Sequence, residues 1–287
     1  HLGHAMSYVV FDVLRRYLEF LGYQVDHVQN FTDVDDKILH TAQQEGVAPQ
    51  ELAERHIQEF MSSMDVLNVK RARAYPRATE EIPNMVRVIG SLVEKGYAYP
   101  SKGDVYFRVT KMVGYGKLSR RTLEGMKAGA RIEVGAGKEH PMDFALWKAA
   151  RPGEPAWDSP WGRGRPGWHI ECSAMILRYL GSTVDIHGGG RDLIFPHHEN
   201  EIAQSRCANE NKVFANYWIH NGFITISNEK MAKSQGNILK INQFKKQING
   251  QVLRLALMNT HYRQPLDWND NLINPVSYTH LTLPTKA

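Results

Sequence analysis

Cysteine is scarce: only Cys172 and Cys207 stand among 287 residues, too few for a disulfide framework. Such thrift is usual in a reducing compartment, so a cytoplasmic location is expected. No apolar run approaches the roughly 20 residues of a membrane span, and no signal-peptide pattern opens the chain, so no membrane partner is expected. No low-complexity tract and no internal repeat is present, which excludes a solenoid. A starting methionine is missing too. The chain opens on His1, in a motif that should follow a strand, and closes on "PVSYTHLTLPTKA", which continues none of the preceding pattern. A fragment is the expectation, with residues 274–287 a non-native tail.

What remains is ordinary globular material, 42% hydrophobic and 23% charged, long enough for one large domain or two modest ones. A net charge of +5 suits a nucleic acid or a small anion without choosing between them. Apolar residues recur at helical spacing through 5–22, with Gly22 placed to end the helix. "YQVDHVQN" (23–30) alternates as a strand does, and Thr32 or Asp33 stands where a cap for the next helix belongs. Residues 49–98 predict two or three amphipathic helices, interrupted by "RARAYPRAT". Between 103 and 148 the character changes: "GDVYFRV" predicts a short strand and Gly-rich turns surround "GARIEVGAG", as in a small insertion. Then come a helix holding Cys172, "STVDIHGGG", a helix at Pro196, the strands "NYWIHNG" and "FITIS", a polar loop "KMAKSQGN" and helical segments over 240–260. Strands alternating with helices predict an α/β fold of Rossmann type. Its doubly wound parallel sheet would be split by the insertion and take ligands at the carboxyl ends of its strands.

"FPHHENEIAQS" (195–205) concentrates His197, His198, Glu199 and Glu201 at a helix start. A solvated helix N-terminus accounts for proline and acids there. A metal is the alternative, since a His and a Glu four residues on share one helical face, but these residues alone favour the solvated terminus. Helical geometry leaves His197 and His198 both open. "HLGH" (1–4) can meet a polyphosphate, Gly3 allowing close approach and the helix end attracting anions. "KMAKS" (230–234) puts Lys230 and Lys233 on a loop where two cations could stabilise charge on a leaving pyrophosphate. Each motif alone is weak: an exposed terminal His and a solvated lysine pair are the bland alternatives.

Together, about 230 residues apart, the two motifs resemble the HIGH and KMSKS signatures of class I aminoacyl-tRNA synthetases, with Leu2 for Ile and Ala232 for Ser. Between and after them "NFTDVDDKI", "RPGWHIECSAM", "DIHGGGRDLIFPHHENEIAQS" and "THYRQPLDW" are similar to the cysteinyl-tRNA synthetase family, from His1 to about Ile273. The resemblance implies a Rossmann-type catalytic domain: a first half over 1–48, helices and connective insertion over 49–150, and a second half over 151–240. The start of a stem-contact region would follow over 241–273. An anticodon-binding domain would lie beyond.

The resemblance also implies the ligands. One zinc would be held by Cys172, His197 and Glu201 plus a cysteine that would precede residue 1, the family spacing choosing His197 over His198 and turning His198 away. Trp168 would pack near the substrate side chain. Thr32 and Asp192 would hold the substrate ammonium or the nucleotide, and Gly189 and Gly190 would let adenosine lie against backbone. His187 would contact the amino acid or merely end a strand, and Cys207 would be structural. His1, His4, Lys230 and Lys233, with Gly3 and Mg²⁺, would surround ATP.

The implied reaction joins L-cysteine and ATP to give cysteinyl-adenylate and pyrophosphate, then transfers cysteine to tRNA(Cys), in a monomeric enzyme. Zinc has a clear purpose there. Cysteine and serine differ at one atom, which a shape-selecting pocket separates by only about a hundredfold; a thiol-seeking metal separates them further. The rivals are a cysteine ligase of mycothiol biosynthesis, a plain nucleotidyltransferase and a non-catalytic nucleotide- or zinc-binding module.

Overall fold

The computed structural model describes residues 1–129, 137–226, 229–231, 236–244, 248–269 and 272–273. Leu2, Ala5, Met6, Val9 and Asp12 form the buried face of helix α1 (Leu2–Phe20), the spacing of a one-sided helix. The helix starts earlier than its apolar rhythm suggests. "HLGH" is its first turn, with His1 as the cap whose Nδ1 accepts the His4 N–H at 3.4 Å. Gly22 follows the end in a left-handed conformation (φ +91°).

The strand expected over 23–30 is reduced to two isolated parallel bridges, Val28 to Ala74 and Phe31 to Arg77. Between them the partner offers Pro76, which has no N–H to donate, so the ladder breaks. The cap of α2 (Asp36–Glu45) is Asp35, whose carboxylate accepts the Ile38 N–H at 2.7 Å, and neither Thr32 nor Asp33. Helix α3 (Pro49–Val66) begins on the proline its first turn tolerates. Helix α4 (Ile82–Glu94) buries Ile82, Met85, Val88, Ile89 and Leu92 on one face.

The antiparallel strands β1 (Ala98–Ser101), β2 (Asp104–Phe107), β3 (Phe144–Ala149) and β4 (Gly164–Pro166) form one sheet in that order, with α5 (Leu123–Gly129) between β2 and β3. Helix α6 (Trp168–Tyr179) carries Cys172. Strand β5 (Val184–Gly190) leads through a turn to α7 (Glu199–Ala208), and β6 (Ala215–Asn221) then returns parallel to β5. A smaller sheet joins β7 (Ile224–Ile226) to β8 (Glu229–Lys230) and, in parallel, to β9 (Leu266–Asp267). Helices α8 (Ile241–Phe244) and α9 (Gly250–Leu257) stand between β8 and β9.

Two apolar cores result. Phe107, Leu146 and Trp147 of the four-stranded sheet pack with α4, α6 and α7, so that sheet shares its core with the helices that carry Cys172 and Glu201. The second core gathers Leu2, Met6 and Val9 of α1 with Leu253 and Leu257 of α9, Ile224, Met231 and Leu266. No helix among the described residues is long and apolar enough to cross a membrane. The "ARIEV" segment, Lys233 and residues 274–287, where the non-native tail was expected, lie outside the described residues.

Candidate active site and metal centre

His197, His198, Glu199, Asn200 and Glu201 are all buried. A buried helix start has no water around its acids, so the solvated-terminus explanation of this cluster fails. The helix also begins later than Pro196. A wide turn over Ile194–His198, with Phe195 extended (φ −139°, ψ 131°), comes first, and α7 starts at Glu199.

One ligand atom each from Cys172, His197 and Glu201 lies within 4.8 Å of the others, and so do those of His187, His198 and Glu201. Glu201 belongs to both groups. Its Oε2 lies 3.0 Å from His187 Nε2 and 3.8 Å from Nε2 of both His197 and His198, while its buried Oε1 has no hydrogen-bond partner. His198 thus lies as near the carboxylate as His197 does. Distance to the carboxylate does not separate the two histidines; only the thiol does, because Cys172 groups with His197 alone. His198 is engaged elsewhere, its Nδ1 2.8 Å from His220 Nε2.

Electrostatics favour metal-ready donors. Burial pushes the imidazoles down, His169 to about 3 with help from His197, His198 to about 2 and His220 to about 4, so they present lone pairs at neutral pH. His197 Nδ1 meets His169 Nδ1 at 3.0 Å, which leaves His197 Nε2 facing Glu201; such an outer partner fixes a ligand's orientation. Burial pushes the Cys172 thiol well up, the carboxylates of Glu201 and Glu171 add to it, and a hydrogen bond from Asn30 opposes it. In this pocket the thiolate needs a cation. An orphaned buried carboxylate oxygen beside a thiol and a neutral imidazole fits a soft divalent ion.

Trp168 is 45% exposed and lies over the His197 ring, 4.3 Å between centroids, at the mouth of this cluster. The Thr32 hydroxyl donates to Glu171 Oε2 at 2.9 Å, next to Cys172, and the Glu171 carboxyl is raised well above its usual range, first by burial. Asp192 is exposed on the turn after β5. A Cβ on Gly189 would meet Leu193 at 2.7 Å and one on Gly190 the Asp192 carboxylate at 2.5 Å. His1 and His4 stack at 3.9 Å. A Cβ on Gly3 would meet Met231 at 3.3 Å, and Leu2 N–H donates to Leu239 O at 2.9 Å. "HLGH" and the segment carrying Lys230 are thus neighbours in space, Lys230 pairing through its backbone with Thr225.

His169, His220 and Gln204 escaped sequence reasoning. Gln204 is fully buried and donates to His169 O at 2.8 Å and Ser173 Oγ at 2.9 Å, tying α7 to α6. The alternation in "YWIHN" puts Trp218 and His220 on one face of β6, opposite His187 and Gly189; that signal was present. Cavities of about 430 and 360 Å³ open beside Met112 and Lys117 rather than over the histidines.

The model of the family described as tRNA synthetases class I (C) catalytic domain matches residues 1–278. The chain belongs to this family. A cysteine–tRNA ligase of Dehalococcoides mccartyi is 57% identical over 273 residues, covering 95% of this chain and 60% of that protein. A cysteine–tRNA ligase of Geobacter metallireducens is 58% identical over 270 residues, covering 94% and 56%. The chain thus spans somewhat over half the length of these relatives. Among solved structures, a methionyl-tRNA synthetase of Mycobacterium tuberculosis in complex with methionyl-adenylate superposes with a TM-score of 0.76 at 18% identity, covering 99% of this chain and 66% of that one. That likeness shows the Rossmann-like α/β fold of class I synthetases.

Proposed function

We propose that this domain activates L-cysteine with ATP and passes it to tRNA(Cys), with a zinc ion held by Cys172, His197 and Glu201 selecting the substrate thiol. The observation that carries the reading is the convergence of these three side chains on one buried point where Glu201 Oε1 has no partner. Both relatives described above are named cysteine–tRNA ligases, which favours tRNA over an amino-sugar as acceptor. Zinc, when bound, supplies a soft Lewis acid that takes a thiolate and takes a neutral hydroxyl poorly.

The chain's own residues do the rest. Trp168 walls the thiol pocket from solvent. Thr32, fixed by Glu171, and Asp192 hold the ammonium or nucleotide; Gly189 and Gly190 keep β5 narrow against adenosine. His1, Gly3 and His4 face the triphosphate, with Lys230, Lys233 and ATP-borne Mg²⁺ offsetting charge on the leaving pyrophosphate. No side chain acts as nucleophile, because the substrate carboxylate attacks the α-phosphate. Cysteine-dependent exchange of pyrophosphate into ATP, with serine as the control, tests this. Exchange with cysteine alone supports it, and equal exchange with serine overturns it.

A further inference from the structure

Glu199 and Asn200 open α7, between the candidate ligands His197 in the preceding turn and Glu201 in the helix, and each is only 2% exposed. Neither points at the metal cluster. The Glu199 carboxylate accepts the N–H of Gly116 at 2.8 Å and of Ser119 at 2.9 Å. Asn200 Oδ1 accepts the hydroxyl of Tyr115 at 2.5 Å. All three partners belong to the segment "VGYGKLSRR" (113–121) of the connective insertion, 80 to 85 positions away in sequence. Among the described residues no Lys or Arg pairs with Glu199, so a buried carboxylate is satisfied by main-chain amides alone, a costly arrangement unless position is at stake.

The loop is built rigidly around this grip. Gly116 sits at φ +94°, where a Cβ would lie 2.0 Å from Arg121 O. Arg121 N–H closes the loop on Gly116 O at 2.9 Å, and the Arg121 guanidinium covers the Phe195 ring at 4.6 Å, two residues before His197. The 113–121 segment therefore holds Phe195 and the start of α7, as Gln204 holds α7 to α6.

We propose that Glu199 and Asn200 are positioning residues, which lock the His197–Glu201 turn to the 113–121 loop and set the geometry of the metal centre through it. The proposal rests on the metal reading above. By linkage the coupling runs both ways: metal bound at Cys172, His197 and Glu201 steadies the loop, and a disturbed loop loosens the metal.

Cobalt(II) stands in for zinc in the test, because its spectrum reports both thiolate ligation and geometry. Ser119→Pro removes one amide donor without touching α7, and Glu199→Gln sets an amide NH₂ against a backbone N–H. Both should weaken cobalt binding by about 10–100-fold and shift its spectrum in protein that is still folded. Lys117→Ala, a loop side chain with no hydrogen bond to Glu199 or Asn200 among the described residues, should keep wild-type affinity and spectrum. In the unmodified chain, zinc should slow amide exchange of 113–121. Folded variants with wild-type cobalt affinity and spectrum, or a loop indifferent to zinc, overturn the proposal while leaving the metal reading standing. A wild-type chain that binds cobalt without a thiolate band overturns both.

Discussion

At Glu201 burial and charge pull in opposite directions. Burial raises its carboxyl; the Coulombic pull of His187 and His197 when protonated, and then the hydrogen bond from His187, oppose that and lower it. Its buried Oε1 has no hydrogen-bond partner, an arrangement that suits a cation. Two substitutions separate the candidate ligand sets. Cys172→Ser should weaken zinc and cysteine binding together, by more than the about 10–100-fold typical of an outer partner, since the substrate sulfur shares the ion. His198→Ala should retain zinc, because His198 groups with Glu201 only in the set that lacks the thiol. Elemental analysis and cysteine titration on the same proteins check both, and loss of zinc in His198→Ala with retention in His197→Ala would reverse the assignment. That a His and a Glu four apart come close was legible in "FPHHENE", although His197 sits in the turn before α7 rather than on the helix itself. The histidines behind His197 and His198 were not. His169 and His220 reach the cluster from α6 and β6, and only the fold brings them there.

Among the elements, α9 is fastened to α1 by a buried charge. Asp12 accepts the Lys70 N–H at 2.8 Å and Arg16 Nε at 2.7 Å, and pairs with Arg254. Arg254 also donates to Leu67 O at 3.1 Å. Arg254→Ala leaves Asp12 with Arg16 and the Lys70 amide, so it should cost less than the about 3–5 kcal/mol of a fully stranded buried charge. Burial raises the Asp12 carboxyl, but the Lys70 amide and the two guanidiniums prevail and lower it from 3.8. A lowered folded value means the stabilisation is complete above 3.8 and fades as pH falls through the folded value. Urea midpoints of wild type and Asp12→Asn should therefore differ at neutral pH and converge below 3.8; a gap independent of pH would show that the charge contributes nothing. The helices were legible where burial is local: α4 shows its face in plain i, i+3, i+7 spacing. The cap of α2 was not, because Thr32 is held by Glu171 and Asp33 by Thr79 at 2.6 Å, partners remote in sequence. The strand over 23–30 failed for a similar reason, since its partner carries Pro76.

Across the whole molecule the two cores divide the work. One seats Cys172 and Glu201 over the four-stranded sheet, and the other closes α1, with "HLGH" at its start, against Met231 and α9. On the proposed function, thiol recognition and phosphate chemistry rest on separate packing, and a lesion in one should spare the other. Lys233→Ala should depress pyrophosphate exchange by about 10²–10³, as the loss of one preorganised donor does, while cysteine affinity stays near wild type. Equal activity in that variant would remove the lysine from the mechanism. The central claim is that the ion sits on Cys172, His197 and Glu201 and reads the substrate thiol. X-ray absorption at the zinc edge, with and without cysteine, tests it most directly. One sulfur per zinc in this chain, rising to two with cysteine and unchanged with serine, is the predicted result; a shell of nitrogen and oxygen alone, indifferent to cysteine, would contradict it.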